Sequence, residues 1–125
     1  MIQELQKFDP KIVDLGDLKV VDIPESQEPV GKIRRPVAVG RNTQNLSERI
    51  AKELKLNNFK PLINIGGDHS MAIGTISGTR EFLGKCPAVL WVDAHADINP
   101  PELSLSGNLH GTPVSFLMKG GMYRV

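Results

Sequence analysis

The sequence predicts an α/β domain built on a parallel sheet. Two short apolar runs, residues 61–65 and 88–92, lie on either side of a stretch with helical character. The order strand, helix, strand with continuously apolar strands is typical of a right-handed βαβ unit whose sheet is covered on both faces. Both runs end in ionisable residues, and sites in such sheets form at the carboxyl ends of the strands. The sequence therefore predicts a functional site at one edge of this sheet.

Length and composition restrict the class of protein. The 125 residues suffice for one domain at most. Fifteen basic and fourteen acidic side chains give a net charge of +1, which argues against nucleic acid or an anionic membrane surface as a partner. No apolar stretch approaches the roughly 20 residues needed to cross a bilayer, and no signal peptide is visible. With a single cysteine, we expect a cytoplasmic protein without an internal disulfide.

The first 40 residues predict little regular structure. A helix tail over residues 1–8 is expected to stop before Pro10, because the residue before a proline avoids the α region. Short strands are expected at 13–15 and 19–21. Residues 24–40 contain three prolines in polar sequence and predict a surface loop.

The clearest helix is predicted to begin after Asn42 or Thr43, because either residue is a good N-cap. It should end near residues 57–58. Its apolar face is expected to contain Leu46, Ile50 and Leu54, with Ala51 beside them.

Two further helices are predicted downstream. One runs from near Ser70 towards Phe82, although Gly74 and Gly78 lower its helix propensity. The other follows Thr112 as N-cap, with proline at the first helical position.

The strongest chemical signal follows the apolar run at 88–92. Asp93, His95 and Asp97 are spaced by two, so in an extended chain their side chains point the same way and converge just past the strand end. Three ionisable groups so close together are costly unless something compensates them, and carboxylate and imidazole are both metal ligands. This pattern indicates a metal site.

Two other motifs carry the remaining histidines. His69 follows the apolar run at 61–65 and two glycines, so it can join the metal cluster from a second strand. Taken alone, such a turn is more often only a loop with a helix cap than a functional motif. His110 taken alone could simply cover a helix start, and Ser106 and Asn108 could be ordinary turn formers.

Together, three motifs resemble the signatures of the arginase family, the binuclear-manganese ureohydrolases. The motifs are Gly66-Gly67-Asp68-His69-Ser70, Trp91-Val92-Asp93-Ala94-His95-Ala96-Asp97-Ile98-Asn99 and Ser106-Gly107-Asn108-Leu109-His110-Gly111-Thr112-Pro113. The resemblance implies a three-layer, parallel-sheet α/β domain of which residues 1–119 form a part, followed by a divergent tail at 120–125. It also implies that the strands at 61–65 and 88–92 are not neighbours, because later strands of the family lie between them.

The resemblance implies a ligand set for two Mn²⁺ ions. His69, Asp93 and Asp97 would bind one manganese, while His95 and the second oxygen of Asp93 would bind the other. The family takes further aspartate ligands and a guanidinium-binding glutamate from later sequence, whereas this chain has no aspartate after Asp97. By this resemblance the chain holds only part of the site.

The resemblance also implies the reaction. In arginase-like enzymes a hydroxide that bridges the metals attacks the guanidinium carbon of L-arginine, giving L-ornithine and urea. Asp97 would orient the hydroxide and His110 would shuttle the proton to the leaving amine. The residues that match contacts to the amino-acid end of the substrate are Asn99, Ser106 and Asn108.

Other interpretations remain open at this stage. The chain could be a non-catalytic arginase product that acts through weak metal binding or association with other chains. It could also be a segment of an agmatinase-like ureohydrolase, whose substrate lacks the carboxylate. Because the family forms homo-oligomers, other arginase chains are the expected protein partners.

Overall fold

The computed structural model describes residues 2–28, 31–58 and 60–118. These residues contain four α-helices and three single 3₁₀ turns. The helices are α1 (Ile2–Phe8), α2 (Pro36–Leu56), α3 (Met71–Leu83) and α4 (Pro113–Leu117), and the turns are Glu25–Gln27, Pro101–Leu103 and Leu109–Gly111. No helix in this part of the chain is both long and apolar enough to cross a membrane.

Helix α2 begins earlier than the sequence predicted. It starts at Pro36 and not after Asn42 or Thr43, so the loop predicted for 24–40 is wrong for its last residues. Proline suits the first helical position because its missing N–H has no partner there in any case. Asn42 does not cap the helix. Its side-chain amide instead accepts from the Val21 N–H and donates to the Val21 carbonyl, both at 2.8 Å.

A carboxylate from outside the helix caps the start of α2. Glu28 accepts hydrogen bonds from the N–H groups of Val37 at 2.9 Å and Ala38 at 2.8 Å. Its side chain is only 8% exposed. Because this cap comes from a separate segment, a search for a local Ser, Thr, Asp or Asn before the helix could not find it.

The core lies where α2 crosses α3. Ile50 and Leu54 of the predicted apolar face are buried, with exposed fractions of 4% and 6%. Ile73 of α3 is buried as well, with an exposed fraction of 4%. The helices approach closely because α3 presents glycine at the crossing. A Cβ atom added to Gly74 would lie 2.6 Å from the Thr43 carbonyl oxygen. The glycines that lower helix propensity therefore permit the packing.

The other predicted helices are confirmed within a residue or two. Helix α3 follows Ser70 and ends at Leu83, where Gly84 adopts the left-handed conformation. Helix α4 follows Thr112 as predicted. The Thr112 hydroxyl donates to the Leu109 carbonyl at 3.3 Å, however, so it closes the preceding turn and does not cap α4.

The predicted strands do not form in the described residues. Residues 61–65 and 88–92 lie in no helix, strand or turn, and no backbone hydrogen bond joins either run to another described residue. Ile63 is 69% exposed and Val92 is 88% exposed, so the prediction of strands covered on both faces is wrong. The strands predicted at 13–15 and 19–21 are absent as well. A strand needs a hydrogen-bonded neighbour, and the apolar pattern reports burial without supplying one.

The loop before α4 is fixed to the segment before α2. The Arg34 N–H donates to the Gly107 carbonyl at 2.9 Å. Gly107 has a φ of 74°, and a Cβ there would meet the Lys32 backbone. Both features require glycine. This contact holds the loop that leads to His110.

Candidate metal centre

Three of the predicted ligands meet at one point. Ligand atoms of His69, Asp93 and Asp97 all lie within 4.8 Å of one another. The two imidazole nitrogens of His69 face different carboxylates: Nδ1 is 3.7 Å from Asp93 Oδ2, and Nε2 is 3.7 Å from Asp97 Oδ2. A cation about 2–2.6 Å from each ligand reaches pairs up to roughly 5 Å apart, so one nitrogen of His69 and one oxygen of each carboxylate fit a single ion.

The two oxygens of Asp93 face two different histidines. Oδ2 faces His69, whereas Oδ1 lies 3.4 Å from His95 Nδ1 and accepts the His95 backbone N–H at 2.9 Å. This backbone hydrogen bond, with the nearby charges of His69 and His95, lowers the pKa of Asp93 below its ordinary value. The carboxylate is therefore ionised at neutral pH, as a metal ligand must be.

Asp97 is held in an unusual backbone conformation. Its φ is 51°, in the left-handed region that few residues other than glycine adopt, although aspartate tolerates it better than most. Its side chain is 10% exposed. Its carbonyl accepts the Ser115 N–H of α4 at 3.2 Å, so helix α4 fixes the position of this ligand.

His110 pairs with an aspartate that sequence reasoning did not include in the site. His110 Nδ1 lies 3.4 Å from Asp68 Oδ2, while Asp68 Oδ1 accepts the Ser70 N–H at 2.8 Å. Burial acts to raise the pKa of Asp68, but hydrogen bonds from Ser70 and the charge of His110 outweigh it, so the pKa is lowered. The sequence signal that could have identified Asp68 is its position next to His69 in the motif that follows two glycines.

One open cleft of about 690 Å³ joins most of the predicted site. Its lining includes His69, Asp93, His95, Asp97, Asn99 and His110. Ser106 and Asn108 are not among the residues that line it. Ser106 Oγ accepts the Asn108 N–H at 3.3 Å. This hydrogen bond fits the other interpretation of the two residues from sequence, that they form a turn.

Trp91 belongs to the site and not to the core. It is half-buried, and it contacts both His69 and the His95 carbonyl. The prediction of a buried strand at 88–92 would place this tryptophan in the core, and it is wrong because the residues around Trp91 in this run are exposed.

The cleft is lined by residues outside the α-helices, and its clustered histidine and aspartate side chains define a protein with a candidate metal centre. Comparison with known proteins gives the family. The model of the Arginase family matches residues 2–124. Arginase-1 of Oryctolagus cuniculus is 46% identical over 121 residues, and Arginase-1 of Homo sapiens is 43% identical over 119. Each alignment covers 95% of this chain and 36% of the relative.

A solved structure agrees with the sequence comparison. The crystal structure of arginase from Bacillus subtilis superposes with a TM-score of 0.71 at 31% identity, over 92% of this chain and 38% of that one. This chain belongs to the arginase family. The neighbour has an α/β fold, whereas the described residues of this chain form helices without strands. The chain spans about 36% of the length of the curated relatives it matches.

Proposed function

We propose that this chain carries part of the binuclear manganese centre of an arginase, which hydrolyses L-arginine to L-ornithine and urea. The observation that carries this proposal is the convergence of His69, Asp93 and Asp97 from two separate segments. Carboxylate and imidazole ligands suit Mn²⁺. When bound, the two ions supply a water activated for attack near neutral pH.

Asp93 would help to hold both ions in this proposal, because its Oδ2 faces His69 and its Oδ1 faces His95. His69 and Asp97 would complete the first metal position, and His95 would contribute to the second. The His95 side chain is 82% exposed, against 10% for Asp97, so the first position is the better enclosed.

His110 and Asn99 act on the substrate in this proposal. Both line the same cleft as the three ligands. His110 carries the proton needed by the leaving amine, a role suited to imidazole near neutral pH. Asn99 contacts the amino-acid end of L-arginine, and Ser106 and Asn108 serve the same end by the family resemblance alone.

Further ligands must come from outside these residues. No aspartate follows Asp97 in this chain, so the second position depends on groups that another part of an arginase, or another arginase chain, supplies. A non-catalytic product that binds metal weakly is the second candidate, and the partial ligand set favours it for the chain alone. The cytoplasmic location and the domain boundary at residue 119 stay predictions, and the tail at 120–125 lies outside the described residues.

Manganese titration tests the ligand assignment. We expect Asp93→Ala to abolish Mn²⁺ binding, because it removes the carboxylate shared by both positions. His95→Ala should leave the first position, whose three ligands remain. Electron paramagnetic resonance of free Mn²⁺ measures the bound fraction in the full chain. Equal loss in the two variants, or loss in neither, contradicts the assignment.

A urea-release assay separates the two candidates. With excess Mn²⁺ and L-arginine, we expect the 125-residue chain alone to release urea at the background rate, because catalysis needs both ions held in a fixed geometry. His110→Asn controls for contaminating enzyme. Activity above background that disappears in this variant would show that copies of the chain complete the site for one another.

A further inference from the structure

One aromatic side chain contacts both histidine-bearing segments of the proposed centre. The Trp91 ring centroid lies 5.1 Å from that of His69, with the ring planes inclined at 52°. The Trp91 indole Nε1–H donates to the His95 carbonyl oxygen at 3.1 Å. The second contact is made to a backbone carbonyl of His95, which is not one of the candidate ligand atoms.

We infer that Trp91 is a positioning residue, which holds His69 against the turn at 93–97 before a cation binds. The expected consequence, tighter Mn²⁺ binding, rests on the proposed metal centre. The contacts of Trp91 do not rest on it, because they are present in the chain without metal.

The site needs such a positioning contact because its two segments are otherwise weakly joined. No backbone hydrogen bond links the segment of His69 to the turn at 93–97 among the described residues. Asp93 and Asp97 carry like charges and repel each other, so the two carboxylates do not by themselves hold the segments together. The Trp91 ring contacts His69 through an aromatic pair and the turn at 93–97 through a hydrogen bond, and neither contact brings like charges together.

The two contacts of Trp91 can be separated by substitution. Trp91→Phe keeps an aromatic ring beside His69 but removes the N–H that donates to His95. Trp91→Leu removes both contacts and keeps an apolar side chain. Leu90→Ala is the matched control, because Leu90 is the preceding residue and is 89% exposed.

Nuclear magnetic resonance of the metal-free full chain tests the contact itself. Trp91 is the only tryptophan, so its indole N–H signal is unambiguous. We expect slowed exchange of this proton, and ring-current displacement of the His69 C–H signals that is lost in Trp91→Leu and unchanged in Leu90→Ala. Free exchange, with His69 signals identical in wild type and Trp91→Leu, would overturn the inference.

Manganese affinity tests the consequence. Loss of groups that orient metal ligands commonly weakens binding about 10–100-fold. We expect about tenfold weaker Mn²⁺ binding in Trp91→Leu, an intermediate loss in Trp91→Phe and none in Leu90→Ala, with equal helix content by circular dichroism in all four chains. Equal affinity in wild type and both Trp91 variants would overturn the inference while leaving the proposed centre intact. If wild type binds no Mn²⁺, the proposed centre fails, and the metal-free spectra still decide whether Trp91 positions His69.

Discussion

Substitution of Gly74 by alanine tests the helix crossing that supports His69. In an open helix position this change stabilises by about 1 kcal/mol, because alanine has the higher helix propensity. At Gly74 the added Cβ would lie 2.6 Å from the Thr43 carbonyl oxygen and 2.9 Å from Leu46 Cβ, where ordinary contact begins at 3.4 Å. The helices must therefore separate by about 0.8 Å, the difference between 3.4 and 2.6 Å.

Neither contacted atom can move aside without the helix backbone, because the Thr43 oxygen is a backbone atom and Leu46 Cβ is bonded directly to the Leu46 backbone. Overpacking of this kind costs about 1–3 kcal/mol, which cancels or exceeds the gain of about 1 kcal/mol in helix propensity. We expect Gly74→Ala to lower the free energy of unfolding by up to about 2 kcal/mol.

Gly40 provides the matched control within α2. A Cβ at Gly40 meets nothing within 4 Å, so Gly40→Ala should stabilise by about 1 kcal/mol. Urea unfolding of the full chain, followed by circular dichroism at the helix band, measures both variants. If Gly74→Ala stabilises as much as Gly40→Ala does, the close crossing of α2 and α3 is refuted.

Three further outcomes are expected. Glu28→Ala should destabilise the chain by about 1–2 kcal/mol in thermal unfolding, because it removes the cap of α2, whereas Glu25→Ala, at an exposed position, should change stability little. The folded-state pKa of Asp68 lies below the ordinary 3.8, so the ionised carboxylate stabilises the fold above that value and this contribution is lost as pH falls through the folded pKa. In metal-free chain, Asp68→Ala should therefore reduce the fall in the free energy of unfolding at acid pH. An unchanged fall in the variant would contradict the assignment. A complete enzyme that contains this segment should show higher kcat/KM for L-arginine than for agmatine, because groups that bind a carboxylate are left unpaired without it, and a preference for agmatine would favour the agmatinase interpretation.

The helical part of the fold could be predicted from local sequence. Helices α3 and α4 begin at Met71 and Pro113, next to the start positions predicted from Ser70 and from Thr112 followed by proline, although neither Ser70 nor Thr112 makes a side-chain capping hydrogen bond. The start of α2 could not be predicted in this way, because its cap is Glu28, a residue on a separate segment. A non-local contact of this kind leaves no periodic signal in the sequence.

For the strands and the site as well, features that depend on local sequence could be predicted and features that depend on distant contacts could not. Apolar runs at 61–65 and 88–92 predicted sheet strands, but strand formation depends on partners that a run of residues does not specify. The cluster of His69, Asp93 and Asp97 was nevertheless predicted from the residue types and their positions after two apolar runs. The extended geometry behind that prediction is wrong, because the chain bends at 93–95 and Asp97 has a left-handed backbone. Asp68 and Trp91 were missed because their roles depend on contacts with His110 and His69 across the fold.

The three clustered ligands differ in how firmly the backbone holds them. The carbonyl of His69 accepts the Ala72 N–H in the first turn of α3, and the carbonyl of Asp97 accepts the Ser115 N–H of α4. Asp93 has no backbone hydrogen bond to either helix among the described residues. Two ligands are thus fixed to helices that pack together, while the carboxylate that faces both histidines is the adjustable one. A cation bound here would meet His69 and Asp97 at positions fixed by two helices, and Asp93 is the residue of the three whose position could adjust to it.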